Sequence, residues 1–222
     1  MYRESLSHEE RHLSTRLESF GDIVFGFSLS LSALQLSVPT HASDLGDHPI
    51  RWLLYGVTFA LLVTYWLRYH RIMSVGFRPQ QIDRTMLFAY LASISLLPYG
   101  LITFSRLMDG TALDEKAGFM FYALLVFAIA ATGLVLEWRG LRRSYAVLDG
   151  ALRERVWRAV VRSSLSAVIF ALAIAIDAVN GVHWAWVPLV ALPFANRLGG
   201  SRLRAIPERL FGRGTSAPSG VS

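Results

Sequence analysis

The chain lacks cysteine and is poor in charged residues. No cysteine occurs among its 222 residues, which excludes disulfide bonds and thiolate chemistry. Only 17% of the residues are charged, against roughly 25% in a typical soluble domain. Hydrophobic residues make up 53% of the chain, and its mean hydropathy is +0.40. This composition excludes an ordinary soluble domain and favours a membrane protein.

Catalytic sequence patterns are also scarce. The chain has no G-x-S-x-G nucleophile motif and no glycine-rich phosphate loop. His8, Glu9 and His12 fit the H-E-x-x-H pattern of zinc peptidases. However, Ser7 and Glu10 have the spacing of a capping box at the start of a helix, and no third metal ligand is evident. We therefore predict no enzyme activity, no metal site and no cofactor.

Long apolar runs dominate the sequence instead. A bilayer is crossed by roughly 20 consecutive apolar residues in a helix. The sequence therefore predicts an all-α polytopic membrane protein with six transmembrane helices. The six predicted spans are residues 20–39, 50–67, 85–105, 117–136, 159–178 and 181–196. The N-terminal segment before the first span is polar, so a signal peptide is not expected.

The spans divide the chain into three regions. We expect a cytoplasmic N-terminal segment over residues 1–19 and a six-helix transmembrane domain over residues 20–197. Residues 198–222 form a cytoplasmic tail, which is rich in Gly, Ser and Pro towards its end and is predicted to be largely disordered. Residues 137–158 are expected to form a basic, amphipathic cytoplasmic segment.

Basic residues are concentrated on one side of the predicted membrane. Of the 22 Lys and Arg residues, 19 precede the first span, follow the last, or lie between spans two and three or four and five. The positive-inside rule then places both termini in the cytoplasm, and we expect the plasma membrane as the location. Because these residues lie at helix ends, where they meet anionic headgroups, the net charge of +6 predicts lipid contact and no nucleic-acid binding.

The first span has faces of different character. At 100° per residue, one arc is apolar with a hydroxyl in its middle: Ile23, Phe27, Ser30, Leu31 and Leu34. Small residues form another face: Gly21, Ser28 and Ser32. Small faces let helices approach closely within a bilayer, so we expect other helices to surround this one. Periodicity alone favours contact of the apolar arc with the protein core or with lipid. The alternative is that this face is left free for a functional role, such as lining a passage.

Charges stand at the entry to this span. Glu18 and Asp22 lie on nearly the same helix face, where like charges repel and require a basic partner from elsewhere. Arg16 points in another direction on a straight helix. Residues 65–71 end the second span at the same membrane depth as these charges, and we expect the basic partner to come from this segment. We interpret these charges as a structural clasp, with an ion or proton site as the alternative.

Three short motifs resemble one membrane-protein family. Arg16-x-x-x-Phe20-Gly21-Asp22 resembles the R-x-x-x-F-S-D signature of the transmembrane protein 175 potassium channels. The segment from Trp66 to Arg71 resembles the W-x-x-H-H-R segment that ends the family's second span, and residues 97–99 (LPY) resemble its L-P-F element. Prokaryotic members of this family have six spans per chain, in agreement with the predicted topology.

The resemblance implies a potassium-preferring channel rather than an enzyme. It implies a homotetramer in which the first helix of each subunit lines a central pore, without the T-V-G-Y-G carbonyl filter of other potassium channels, which this chain also lacks. A hydrophobic constriction is expected at Phe27, with further layers at Leu31 and Leu34, and Ser30 is expected to contribute to selectivity. The clasp then comprises five residues: Arg16, Phe20, Asp22, Trp66 and His70.

The chain departs from the family pattern at three positions. Gly21 replaces the signature Ser, Tyr69 replaces one His of the usual pair, and Phe27 stands where Leu or Ile is usual. A nearby side chain or water must therefore replace the missing hydroxyl at Gly21.

Two other function classes remain open: a non-conducting membrane scaffold or signalling module, and a small secondary transporter. A transporter requires ionisable groups near the bilayer midplane, and the spans contain almost none.

Overall fold

The computed structural model describes residues 7–34, 49–107, 110–145 and 148–180. Within these ranges the protein is entirely helical. Its five helices are α1 (His8–Leu34), α2 (Pro49–Ser74), α3 (Gln81–Leu107), α4 (Ala112–Ser144) and α5 (Gly150–Asn180). The predicted all-α class is therefore confirmed for the described part of the chain.

The prediction of six transmembrane helices per chain is wrong. Of the five described helices, four are long and apolar enough to cross a membrane, namely α1, α3, α4 and α5. The predicted second span lies in α2, whose last two turns carry Arg68, His70 and Arg71. Arg68 is buried against a carboxylate of α4, so α2 has a polar face that pairs inside the protein. The predicted sixth span, 181–196, and the predicted tail lie outside the described residues.

Helix α1 begins well before the predicted first span. Ser7 and Glu10 form the expected capping box: the Ser7 backbone N–H donates to Glu10 Oε2 at 3.0 Å, and the Glu10 backbone N–H donates to Ser7 Oγ at 3.2 Å. These bonds satisfy N–H groups that otherwise lack a partner at a helix start. Consequently the polar residues 8–19 and the apolar residues that follow form one continuous helix of 27 residues.

Helices α4 and α5 are longer than the spans predicted within them. Thr111 caps α4, since its side chain accepts from the Asp114 backbone N–H. The described part of the predicted basic, amphipathic segment, 137–158, includes the end of α4 and the start of α5. The rings of Trp138 and Trp157 lie 6.3 Å apart across these extensions, and Leu141 packs there with Val156 and other apolar residues of α5. Burial of this apolar cluster favours two long helices over a surface segment.

The helices pack in a bundle in which α4 lies between α3 and α5, and α1 contacts both α2 and α3. The main core combines residues of the first four helices and includes Phe25, Leu62, Tyr90, Ile94 and Ile129. The Tyr90 hydroxyl in α3 donates to the Tyr65 carbonyl in α2 at 2.9 Å. Helix α1 is thus placed on a surface formed by α2 and α3.

The end of α2 depends on a glycine. Gly76 has φ of +72°, a left-handed conformation that favours glycine after a helix end. A Cβ at this position would also collide with the Gly140 carbonyl and the Ser144 hydroxyl of α4. The chain therefore turns from α2 towards α3 in direct contact with the α4 backbone.

A buried ionic cluster joins α2, α4 and α5. Glu137 of α4 accepts from Arg68 Nε at 3.2 Å and Arg68 Nη2 at 3.1 Å, from Arg71 at 2.9 Å and from the Ser163 hydroxyl at 2.6 Å. Glu137 and Arg68 are both buried. Gly133 provides the space for the Arg68 guanidinium, which lies where a side chain would begin. Bidentate pairing and the extra hydroxyl offset the cost of removing these charges from water.

A second ionic cluster joins α3 to α4 near the same end of the bundle. Asp83 of α3 is buried and pairs with both Arg139 and Arg143 of α4. Arg143 also donates to Gln80 at 3.0 Å. The topology prediction assigns Arg139 and Arg143 to the cytoplasmic side because they lie at a helix end. In the structure both also form ion pairs with Asp83.

Replacement of Glu137 by Gln should destabilise the protein strongly. The change keeps the side-chain volume but leaves Arg68 buried without a carboxylate, which costs about 3–5 kcal/mol for a broken buried pair. The matched control is Glu154→Gln, since Glu154 lies 3.9 Å from Arg158 in a pair with both side chains exposed, and such pairs contribute roughly 0–1 kcal/mol. Melting temperatures of the purified variants in detergent provide the measurement. Equal melting temperatures for the two variants would contradict the stabilising role of the cluster.

Candidate functional site

Helix α1 is buried on one side and exposed on the other. Its buried residues are Ser14, Leu17, Gly21, Phe25, Ser28 and Ser32. This set includes the whole small-residue face that the sequence identifies. The buried side of α1 therefore packs inside the protein, and the opposite side remains without a partner in the described chain.

The predicted constriction residues lie on the unpartnered side. Phe27 is 63% exposed and Leu34 is 77% exposed, while Leu31 is half-buried. Ile23, the first residue of the predicted arc, is also exposed. An apolar row of this size is expensive to leave in water, so it must be covered by lipid or by other copies of the chain.

Ser30 lies within this exposed row and has a defined orientation of its hydroxyl hydrogen. Its Oγ donates to the Gly26 carbonyl of the same helix at 3.0 Å. Ser28 and Ser32 donate in the same way to Val24 and Ser28, but on the buried side. Because the hydroxyl hydrogen of Ser30 is used within the helix, the exposed oxygen presents lone pairs. It can therefore accept from water or coordinate a cation.

Asp22 is contacted by two residues of α2. Trp66 Nε1 donates to Asp22 Oδ1 at 2.9 Å, and His70 Nε2 lies 3.2 Å from the same oxygen. The other ring nitrogen of His70 lies 3.5 Å from Glu18. Trp66 and His70 stand one helical turn apart, with their rings perpendicular and 4.5 Å between centroids. The structure therefore brings together Asp22, Trp66 and His70, and it places His70 between the two acidic groups that needed a basic partner.

The other two residues predicted for the clasp behave differently. Phe20 packs edge to face on Phe88 of α3, with 6.1 Å between ring centroids, so it contributes an apolar contact. Arg16 is exposed and forms no ion pair with Asp22 within the described residues. Residues 65–71, the expected source of a basic partner, contain two arginines. Both Arg68 and Arg71 pair with Glu137 of α4 and not with Asp22.

Tyr69 is a contact residue that sequence reasoning did not assign to the clasp. Its ring is fully buried, and its hydroxyl donates to the Leu17 carbonyl of α1 at 2.6 Å.

Glu137 was also not predicted as a partner of the arginines of α2. One signal was present in the sequence, because Glu137 is an isolated acidic residue immediately after the predicted fourth span. Isolated charges in membrane helices mark positions where a partner is required.

Comparison with known proteins supports the resemblance. A sequence model of the family described as the endosomal/lysosomal potassium channel TMEM175 matches residues 16–98. The predicted resemblance is confirmed. The matched region contains the clasp, the exposed row of α1 and the proline of α3. The matched family is described as one of potassium channels, which agrees with the prediction of a channel and not of an enzyme.

Two solved structures share the fold. One is a crystal structure of a variant of the potassium channel MtTMEM175 in complex with a nanobody–MBP fusion protein. It is 16% identical, with a TM-score of 0.62 over 89% of this chain and 93% of that chain. The other is a lysosomal potassium-selective channel TMEM175 homologue from Chamaesiphon minutus, 18% identical, with a TM-score of 0.63 over 86% of this chain and all of the other. A comparison with curated protein sequences gives no match.

Replacement of Trp66 by Phe should weaken the attachment of α1. The variant retains an aromatic ring but loses the donor to Asp22. Hydrogen bonds to charged groups contribute roughly 1.5–3 kcal/mol, and because Asp22 is half-exposed we expect the lower end of that range. Trp52→Phe is the matched control, since Trp52 is an exposed residue of the same helix. Thermal melts in detergent should show a loss for Trp66→Phe alone, and an equal loss in both variants would rule out the contribution of the hydrogen bond.

Proposed function

We propose that the chain assembles as a homotetramer around an axis lined by the exposed row of α1, and that potassium ions cross the membrane passively along this axis. The carrying observation is that Phe27 and Ser30 occupy the one side of α1 that has no partner in the described chain. Four copies of α1 would cover this row, which a single chain leaves exposed. In this arrangement both termini are cytoplasmic, as the distribution of basic residues supports, and the membrane is proposed to be the plasma membrane.

Phe27 is proposed as the narrowest point of the passage. A ring of apolar side chains can close a pore by excluding water from the constriction, without a physical plug. Leu31 and Leu34 follow at about one and two helical turns and would continue the apolar lining. No carbonyl filter is needed in such a pore, because the barrier depends on wetting of the constriction.

Ser30, which lies almost one helical turn from Phe27, is proposed to favour cations in the pore. Its hydroxyl hydrogen is engaged by the Gly26 carbonyl, so the oxygen atoms of four subunits would present acceptors towards the axis. Cations are stabilised by such oxygen atoms when part of their hydration shell is removed, whereas anions require donors. The clasp, consisting of Arg16, Phe20, Asp22, Trp66 and His70, is proposed to hold α1 in the orientation that presents these residues.

Phe27→Ala should raise passive potassium flux several-fold, because a smaller side chain widens the ring and lets water enter it. The measurement is potassium tracer flux into liposomes that contain purified protein of tetrameric mass. Phe59→Ala is the matched control, since Phe59 is an exposed phenylalanine of α2 and should leave flux unchanged. Saturable, coupled flux would indicate a transporter, and no flux from well-folded wild-type protein would indicate a scaffold. Either outcome, or equal flux in wild type and Phe27→Ala, would overturn the proposal.

Ser30→Ala should lower the ratio of potassium to sodium flux while leaving assembly intact. The change removes one oxygen ligand per subunit and only a hydrogen bond within the same helix. Ser93→Ala is the control, because Ser93 of α3 also donates to the carbonyl four residues earlier, at 2.9 Å. Flux of the two ions is compared in the same liposome preparation. A ratio that is the same in Ser30→Ala and wild type would exclude Ser30 from selectivity.

A further inference from the structure

Tyr69 touches the backbone of α1 directly. The Tyr69 hydroxyl lies 2.6 Å from the Leu17 carbonyl and 3.3 Å from the Glu18 carbonyl. The ring is fully buried and packs on Phe25, with 5.7 Å between centroids. The contacts of Trp66 and His70 with Asp22 and Glu18 join side chains, which can change rotamer. A rigid ring bonded to backbone carbonyls instead defines where the helix axis of α1 lies.

Gly21 leaves the space that this ring occupies. A Cβ built on Gly21 would collide with the Cζ and hydroxyl oxygen of Tyr69, and it would lie 2.6 Å from the ring carbon Cε1. Real Cβ atoms essentially never approach other atoms so closely. The collision involves a buried ring with neighbours on several sides, so the ring cannot simply rotate away. Any side chain at position 21 therefore requires a smaller residue at position 69 or a displaced α1.

We propose that Gly21 and Tyr69 form one positioning unit, in which Tyr69 supplies from α2 the hydroxyl that the Phe20-Gly21-Asp22 segment lacks and sets the distance and rotation of α1. Two positions at which the chain departs from the resembling motifs thus meet in space and compensate each other. Asp22 follows Gly21 directly, and Phe27 lies less than two turns further along the same helix. A displacement of α1 at Gly21 would therefore move both the clasp and the exposed row. The effect on conduction rests on the proposed function, whereas the packing of the two residues does not.

The proposal predicts that two harmful substitutions compensate each other. Gly21→Ser should force α1 away from Tyr69, and Tyr69→His should leave a gap and remove the donor to Leu17. We expect each single variant to melt several degrees below wild type and to show a lower ratio of potassium to sodium flux per tetramer. The double variant should recover most of both losses, because the serine then occupies the space of the removed ring and again provides a hydroxyl. Compensation of this kind is measured by a double-mutant cycle.

Controls separate this contact from general effects of the substitutions. Gly56→Ser introduces the same side chain into α2, at a position where no atom lies within 4 Å of the new Cβ, and it should leave both measurements unchanged. Tyr69→Phe keeps the ring but removes the hydroxyl, and it should lower the flux ratio without loss of assembly. Tyr99→Phe, at an exposed tyrosine of α3, is its matched control.

The flux ratio distinguishes positioning from simple stabilisation, since a purely structural contact would change the amount of folded protein and not the ratio of ions that pass. Additive losses in the double variant, or single variants that melt and conduct like wild type, would overturn the proposal. If Gly21→Ser yields no assembled protein, the flux ratio of Tyr69→Phe decides, and a wild-type ratio would overturn it. Absence of any wild-type flux would instead refute the proposed function, and the melting temperatures would still decide whether Gly21 and Tyr69 are coupled.

Discussion

The end of α2 is the constraint on which the placement of α1 depends. Over two turns, α2 presents Trp66 and His70 to Asp22 of α1 and presents Arg68 and Arg71 to Glu137 of α4. These two pairs of side chains point in different directions from one short stretch of helix. The buried carboxylate holds α2 against α4 and α5, and α2 in turn holds α1. Because removing one member of a buried ion pair is costly, this end of α2 has little freedom to move.

The two sides of α1 have different surroundings. One side is buried from Ser14 to Ser32, and between Leu17 and Phe25 polar and aromatic side chains of three helices meet there. The opposite, exposed side of α1 carries apolar residues without a partner in the described chain. Helix α1 is firmly attached, yet its exposed side is apolar and uncovered. Such a side is expected where other subunits complete the surface. The clasp thus attaches α1 to α2, and the apolar row remains available for contact with other subunits.

The sequence predicted helices and helix faces well, because both follow from local periodicity. The predicted spans 85–105, 117–136 and 159–178 lie inside α3, α4 and α5, and Gly21, Ser28 and Ser32 share the buried face of α1. The number of spans was wrong, because only four of the described helices are long and apolar enough to cross a membrane, and α2 is not among them. The partners of Arg68 and of Tyr69 could not be predicted either, since Glu137 is 69 residues from Arg68 and Leu17 is 52 residues from Tyr69. Such contacts depend on how each helix is rotated, which one sequence does not determine.

The continuity of α1 has a mechanical consequence. The helix runs from His8 to Leu34, and its attachment near Gly21 and Asp22 lies at its midpoint. At 1.5 Å per residue, each arm beyond this point is roughly 20 Å long. The buried face of α1 runs from Ser14 to Ser32, so both arms are packed against the bundle along one side. A push on the polar arm would therefore be carried along the helix to the apolar arm, and it would have to shift the packing of α2 and α3 against this face.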